Sequence, residues 1–533
     1  MNYLKTVMNK KVTPQSQPIP GSAMVPNSAG GYTFAVDDWT RLARFLVLGT
    51  EGGSYYATEK ALSLENADAV KRCIAADGPR VVKEIVAVSE AGRAPKNDPA
   101  LFALAMCAAF GNEDTRRQAL AALPSVARIG THLFHFAEYV DGMRGWGRGL
   151  RQAVGNWYAK MPADKLAYQA VKYGQRDGWS HRDLLRLSHP KPETEQHFAL
   201  YHWLTQGWES VGEIPHPDAA LRLVWAAERA KTVGSAAEVA GLIRDYRLPR
   251  EAVPTEWLKE PVVWEALLEE MPMTALIRNL ATLTRIGLVA AGSDAAKKAV
   301  SEITNADRLR KARVHPIAVL AALKTYAQGH GERGGNTWTP VQPIVDALDA
   351  AFYASFENIT PTNKRWLLAL DVSGSMTFGQ ITGIPGLTPR VGSTAMALIT
   401  AATEAEHQIM GFSTTFMPLA ISPRQRLDDV LKMVDNLPFS GTDCALPMTW
   451  AMKNKVKTDV FVVYTDSETW AGGIQPVQAL RQYRDKMGIP AKLIVCGMVS
   501  NAFTIADPDD AGMLDCVGFS TATPALMSDF AVA

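Results

Sequence analysis

The sequence predicts two unlike parts in one chain, an all-α helical part followed by a doubly wound α/β domain, and three observations carry that reading. Residues 1–360 present one amphipathic segment after another, each about ten to fifteen residues long, joined by short polar or glycine-bearing turns with almost no strand-like alternation. Past Asn363 apolar strands alternate with helices, the pattern of a parallel sheet covered on both faces. At 533 residues the chain also exceeds one ordinary domain. The break falls in Ile359-Thr360-Pro361-Thr362-Asn363, which gives domains 1–360, with an arm at 1–30, and 361–533.

The arm begins MNYLKTVMNKKVTPQSQPIPGSA, lacks the apolar core of a secretory signal and reads as partly extended. Phe34–Gly49 begins the helical pattern, with Asp37 and Asp38 near its start and Gly49 as its stop. Further helices are expected at 57–63, 67–77, 78–90, 99–111, 114–123, 129–141, 146–160, 162–173, 181–187, 193–205 and 217–232. The series continues at 236–246, 254–257, 261–270, 274–286, 294–301, 307–313, 316–328 and 340–356. Antiparallel pairs in such a series would build a solenoid, but no sequence period emerges, and an irregular compact helical domain fits the same pattern. In the second part, strands through Leu367–Leu370, Ile409–Phe412, Asp459–Thr465 and Ala491–Gly497 are separated by helices at 392–406, 425–436, 445–452 and 475–487.

Composition bounds the function classes. Hydrophobic residues at 47% and charged residues at 20% are ordinary for a globular protein, and no apolar run reaches the roughly 18 residues of a membrane span. Five cysteines, Cys73, Cys107, Cys444, Cys496 and Cys516, are scattered without CxxC spacing, so reduced thiols are expected rather than disulfides or zinc, in a cytoplasmic protein. A net charge of +1 advertises no polyanion partner, but residues 141–191 hold 10 Lys+Arg against 4 Asp+Glu, which is where one would dock.

The stretch Trp366–Met376, WLLALDVSGSM, is a buried strand ending abruptly in Asp371-Val372-Ser373-Gly374-Ser375. Its polar atoms lie at a strand's carboxyl end, where open parallel sheets bind ligands. One carboxylate and two hydroxyls two residues apart suit a hard divalent cation, although the same residues would also cap a helix and a turn. Two later loops join them: Ser440-Gly441-Thr442-Asp443, and Asp466 after the strand Asp459–Thr465. A dehalogenase-type loop would need a second Asp where Ser373 stands, and the Gly-x-Ser-x-Gly elbow of hydrolases is absent. The three loops in this order resemble the metal-ion-dependent adhesion site of von Willebrand factor A domains. That resemblance implies that Asp371, Ser373, Ser375 and Thr442 bind Mg²⁺ or Mn²⁺ directly or through water, with Asp466 behind them and an open position for a partner's acidic group. The segment Thr377–Val391 departs from the pattern and bears on access to the ion.

The most pointed stretch outside that loop is KYGQRDGWSHRDLLRLSHPKP, residues 172–192. Lys172, Arg176, Arg182 and Arg186 can neutralise phosphates, Tyr173 and Trp179 can stack on unpaired bases, and His181 can hydrogen-bond beside them. Gly178 turns the chain and Ser180 caps the helix that follows. Trp179 as a core anchor and His181 as a satisfied first-turn histidine are the competing structural roles. Together with DDWTRLARFLVLGTEGG near 37, MPMTALIRNL near 271, RVHPIAVLAAL near 313, SGTDCALPMTWA near 440 and Asn501–Asp510, this stretch is similar to the Ro autoantigen family, which pairs a TROVE helical domain with a von Willebrand A domain.

The resemblance implies a Rossmann-like A domain closing a ring of HEAT-like helical hairpins around a positively charged hole. It further implies small non-coding Y RNA on the outer surface, matched here by Lys172, Arg176 and His181, and single-stranded 3′ ends of misfolded RNA in the hole. Arg308, Arg310, Lys311 and Arg313 form another basic helix that could contribute there. A monomeric RNA-binding scaffold without catalytic activity is expected, serving RNA quality control with a partner 3′-to-5′ exoribonuclease. The alternative is a metal-dependent protein-interaction adaptor acting through the A domain without RNA. A metal-dependent hydrolase is disfavoured because the loops supply few carboxylates and no evident general base.

Overall fold

The computed structural model describes residues 12–49, 62, 64, 67–90, 94, 96–208, 216–312, 314–331, 335–381, 386–437, 441–498, 503–517 and 523–532. The helix expected at 57–63, together with Arg313, Ser440, Asn501, Ala502 and 382–385 of the segment after the metal loop, falls outside these residues, Leu62 excepted. In chain order the strands are β1 Met24–Pro26, β2 Tyr32–Ala35, β3 Gln175–Arg176, β4 Trp179–Ser180, β5 Trp366–Asp371 and β6 His407–Phe412. They continue with β7 Phe416–Pro418, β8 Val460–Thr465, β9 Lys492–Gly497, β10 Phe503–Thr504 and β11 Met513–Val517.

The apolar runs at Trp366–Asp371 and Val460–Thr465 are buried along their whole length, as strands covered on both faces must be. They form the centre of a six-stranded sheet of order β11-β9-β8-β5-β6-β7. Every neighbouring pair is parallel except β6 and β7, where the chain doubles back as an antiparallel edge that the sequence reading missed. Leu367, Ala369, Phe461 and Val463 face a core completed by Met448, Leu480 and Tyr483 from the helices Leu446–Lys453 and Pro476–Met487. The doubly wound domain is therefore as expected. Because β5 pairs with β6 on one side and β8 on the other, the winding reverses at β5, and the loops after β5 and β8 diverge around a cleft.

Two compact units interleave in sequence. One comprises Met1–Ala69, Arg313–Thr325 and Asp349–Ala533, the other Val70–Ala312 and Tyr326–Leu348. The sequence reading drew one break near residue 360. In the first unit the hairpin β1–β2 pairs with β10 in a three-stranded antiparallel sheet, and Phe34 enters the core of the large sheet. The described part of the arm is thus built into the α/β unit. Met513–Val517, also unanticipated, carries Asp515 inside the sheet edge, where the buried Arg44 guanidinium pairs with it at 2.5 Å.

The other unit is helical, with β3–β4 its two-stranded exception. The helix Asp98–Phe110 packs on Glu113–Val126 and Gly130–Arg144, Ala163–Lys172 on Ala219–Arg229, and Ala236–Tyr246 on Pro261–Glu269. The two helices expected at 67–77 and 78–90 are both present within Asp68–Glu90, separated by a kink at Asp77, whose φ of −156° and ψ of 80° are not helical. Pro79 explains the break, since its ring clashes with the carbonyl four residues back. The short helix expected at 254–257 is replaced by a 3₁₀ turn, Trp257–Lys259.

Candidate metal centre and nucleic-acid interface

Of the five residues expected around a metal, Asp371, Ser373, Ser375 and Asp466 lie at the carboxyl ends of β5 and β8, and Thr442 lies on a loop bonded to the segment that follows β8. Asp371 ends β5, and its carboxylate accepts the Ser373 N–H at 2.9 Å and the Thr465 hydroxyl at 2.9 Å. The Ser373 and Ser375 hydroxyls lie 3.0 Å apart as the chain enters a 3₁₀ turn, Gly374–Thr377. Thr442 is held by its carbonyl, which accepts the N–H groups of Trp470 and Ala471 at 3.1 Å each. Asp466 follows β8 and accepts the Glu468 N–H at 3.1 Å.

Asp371, Ser373, Thr442 and Asp466 are all buried. Burial, and then the negative charge of Asp466, pushes the Asp371 carboxyl up to about 7. Two carboxylates withdrawn from water and repelling each other, with hydroxyl oxygens beside them, are a donor set that a hard divalent cation neutralises. Among the described residues no cluster of three or more His, Cys, Asp or Glu side chains could hold a metal, so an ion here would lean on hydroxyls and water. That suits Mg²⁺ or Mn²⁺ and excludes a thiolate or imidazole site.

Several residues that sequence reasoning passed over hold these loops. Arg390, in the helix Pro389–Thr403, is buried and donates to the carbonyls of Val372 and Ser373 at 3.0 Å each. Its other nitrogen pairs with Asp435 at 3.0 Å. From the arm, the buried Gln15 amide donates to Asp443 at 2.7 Å and to the Ile474 carbonyl at 2.9 Å, and its oxygen accepts the Thr469 hydroxyl. Asn27 donates to the Thr469 carbonyl at 2.7 Å, and Gly31 passes so close that a Cβ would sit 1.9 Å from that same oxygen. Nothing in the sequence near Gln15 signals a partner more than four hundred residues away.

The basic stretch folds as a tight device. Lys172 ends the helix Ala163–Lys172, and β3 and β4 form a hairpin whose two turn residues, Asp177 at φ +53° and Gly178 at φ +81°, take the left-handed conformation that two-residue hairpins require. Asp177 is tied to His135, whose other ring nitrogen lies 3.2 Å from Asp98. Ser180 caps the helix His181–Ser188 in a reciprocal box with Asp183, as expected. Arg176, Arg182 and Arg186 are exposed. Lys172 stands over the rings of Tyr168 and Tyr173, 5.5 and 5.3 Å from their centres. Trp179 is half-buried, donating to Glu138 at 2.8 Å and packing on Trp146.

His181 departs from this group. It is 1% exposed, packs against Phe134, Trp157 and Tyr158, and shares a 2.7 Å hydrogen bond with the Tyr158 hydroxyl. Burial pushes its imidazole down to about 4, so the ring is neutral and turned away from the surface. The expectation that His181 bonds beside the cations is corrected accordingly: a polar residue just inside a capped helix start falls on whichever face the next two turns bury. The exposed imidazole of this helix is His189, its left-handed C-terminal cap. In the other basic helix Arg308 pairs with Glu302 and Arg310 with Asp307, while Lys311 is exposed.

Comparison with known proteins agrees with this arrangement. The TROVE domain model matches residues 25–325, and the Ro60 vWA domain model matches 365–531. The chain is 43% identical to the RNA-binding protein RO60 of Deinococcus radiodurans, over 100% of this chain and 99% of that protein. It is 38% identical to the RNA-binding protein RO60 of Caenorhabditis elegans, over 95% and 90%. The crystal structure of Deinococcus radiodurans RO (RSR) protein matches with a TM-score of 0.78 at 43% identity, covering 93% of this chain and 99% of that one. A TROVE domain followed by a von Willebrand factor A domain, with full-length similarity on this scale, places the chain in the Ro60 family.

Proposed function

We propose that this protein is a non-catalytic RNA-binding scaffold of the Ro type. It holds small non-coding Y RNA on the surface carrying Lys172, Arg176, Arg182 and Arg186, and takes single-stranded 3′ ends of misfolded RNA in the central hole that the family resemblance implies. Processing or decay then falls to a partner 3′-to-5′ exoribonuclease. The observation that carries the reading is the exposed Arg176, Arg182 and Arg186 around the β3–β4 hairpin, with the half-buried Lys172 beside them, within a TROVE region whose full-length relatives are named RNA-binding proteins. Lys172 beside Tyr168 and Tyr173 supports phosphate neutralisation next to aromatic surface, the pairing that structured RNA with unpaired bases calls for. The protein acts as a monomer in the cytoplasm, and Mg²⁺ or Mn²⁺ occupies the Asp371–Asp466 cleft. Gel-shift titration of a small structured RNA, with wild type and a Lys172→Ala/Arg176→Ala variant, tests the surface. Loss of affinity together with a shallower salt dependence supports it, and equal binding by the variant refutes it.

A second reading, the metal-dependent adaptor, is favoured by the aromatic rings near the cleft. Phe378, whose N–H bonds the Ser375 carbonyl, is 69% exposed, and Trp470, bonded to Thr442, is 46% exposed. An acidic protein ligand reaching the ion would meet apolar surface on both loops. Divalent-cation-dependent capture of such a ligand, abolished by Asp371→Ala and indifferent to RNA, would establish that reading.

A further inference from the structure

Beside Arg176 on the β3–β4 hairpin stands a carboxylate that opposes phosphate binding. The two-residue turn needs side chains that tolerate the left-handed conformation, and Asp177, at φ +53°, is of one of the few types that do. It brings a negative charge next to Arg176, whose Nε lies 3.6 Å from its Oδ1. Among the described residues no other carboxylate pairs with Arg176, whose side chain is 61% exposed and so within reach of a ligand. A carboxylate at that distance competes with phosphate for the guanidinium.

His135, from the helix Gly130–Arg144, meets that carboxylate from the other side. Its Nδ1 bonds the Asp177 Oδ2, and its Nε2 lies 3.2 Å from the Asp98 Oδ1. Only the imidazolium, with a proton on each ring nitrogen, donates to both carboxylates. The Tyr139 ring, one turn along the same helix, is stacked beside the imidazole at 6.2 Å between centres and fixes its plane. Asp98 stands in the first turn of the helix Asp98–Phe110, whose positive end already offsets its charge, so the charge of the imidazolium acts chiefly on Asp177. We propose that His135 is a positioning residue for RNA binding: it withholds Asp177 from Arg176 and so leaves the guanidinium available to a phosphate. The inference rests on the reading of Arg176 as a phosphate contact and adds a residue outside the basic stretch that governs that contact.

The test titrates a small structured RNA with the full chain over a series of salt concentrations. His135→Gln keeps an N–H donor and loses the charge, and Asp98 and Asp177, 29% and 32% exposed, can turn to water, so no charge is stranded in the interior. Its affinity should fall about tenfold, as one charge-assisted contact contributes, and the slope of log affinity against log salt should become shallower by about 0.9. Adding Arg176→Ala to His135→Gln should cost nothing further. Adding Asp177→Asn instead, which also tolerates the left-handed turn, should restore wild-type affinity, a rescue that a merely structural role for His135 does not give. His135→Gln at wild-type affinity, or a His135→Gln/Asp177→Asn protein that binds no better than His135→Gln, overturns the inference. Arg176→Ala alone at wild-type affinity instead overturns the surface reading of Arg176 on which it rests.

Discussion

The buried His181 gives a prediction whose size follows from its surroundings. An imidazole ordinarily titrates near 6.5, and burial among Phe134, Trp157 and Tyr158 lowers this one to about 4. A group depressed on folding takes up a proton more readily in the unfolded chain. Its contribution is therefore fully present above pH 6.5 and is lost as pH falls towards 4. The whole displacement corresponds to about 3 kcal/mol, of which about 2 kcal/mol is already lost at pH 5. His132 and His315, also lowered to about 4 chiefly by burial, act in the same direction, so the comparison must be made against a variant. His181→Asn keeps a polar atom for the Tyr158 hydroxyl and removes the titration. Urea unfolding at pH 7.5 and pH 5.0 should show the wild type losing about 2 kcal/mol more than His181→Asn between the two conditions. NMR of ring-labelled histidines should find no His181 titration above pH 5. An imidazole titrating near 6.5, or equal pH dependence in the two proteins, refutes the burial argument and returns His181 to the RNA surface.

Three other outcomes follow from the loops around the cleft. Arg390→Met leaves the Val372 carbonyl without its donor and the Ser373 carbonyl with the Met376 N–H alone, so it should lower stability by about 2 kcal/mol and weaken Mn²⁺ binding measured by electron paramagnetic resonance; unaltered Mn²⁺ affinity would remove Arg390 from the account of the metal loop. Gln15→Ala strips Asp443 of its amide donor and should destabilise the α/β unit by about 2 kcal/mol in thermal unfolding, whereas an unmoved midpoint would mean the arm is not integral to it. Mn²⁺ at about a hundred times its dissociation constant should stabilise the wild type by about 2.7 kcal/mol and leave Asp371→Ala unaffected; no shift in the wild type would mean the cleft holds no ion.

Much of this was legible in residue pattern because its causes are local. Buried strands write themselves as apolar runs, and a loop at a strand's carboxyl end is placed by the strand, so the positions of Asp371 after β5 and Asp466 after β8 were readable from pattern, whereas grouping them with Ser373, Ser375 and Thr442 drew on the family resemblance. Ser180 and the Asp177-Gly178 turn were readable for the same reason. What stayed hidden depends on distant partners. Met513–Val517 has an acid in its middle and makes sense as a strand only once Arg44 is beside Asp515. The arm looked extended because its glutamine and asparagine bond to Asp443, Ile474 and Thr469, and a non-local hydrogen bond leaves no periodicity. His181 was misplaced because its burial is decided by helices that a window on the motif does not contain.

The central claim is that the Lys172–Arg186 surface binds RNA, and sequencing the RNA that co-purifies from the native host tests it most directly. Wild type and Lys172→Ala/Arg176→Ala should be purified in parallel. A discrete small RNA enriched with the wild type and lost from the variant is the predicted result. No enriched RNA in either preparation contradicts it and leaves the metal-dependent adaptor as the function to pursue.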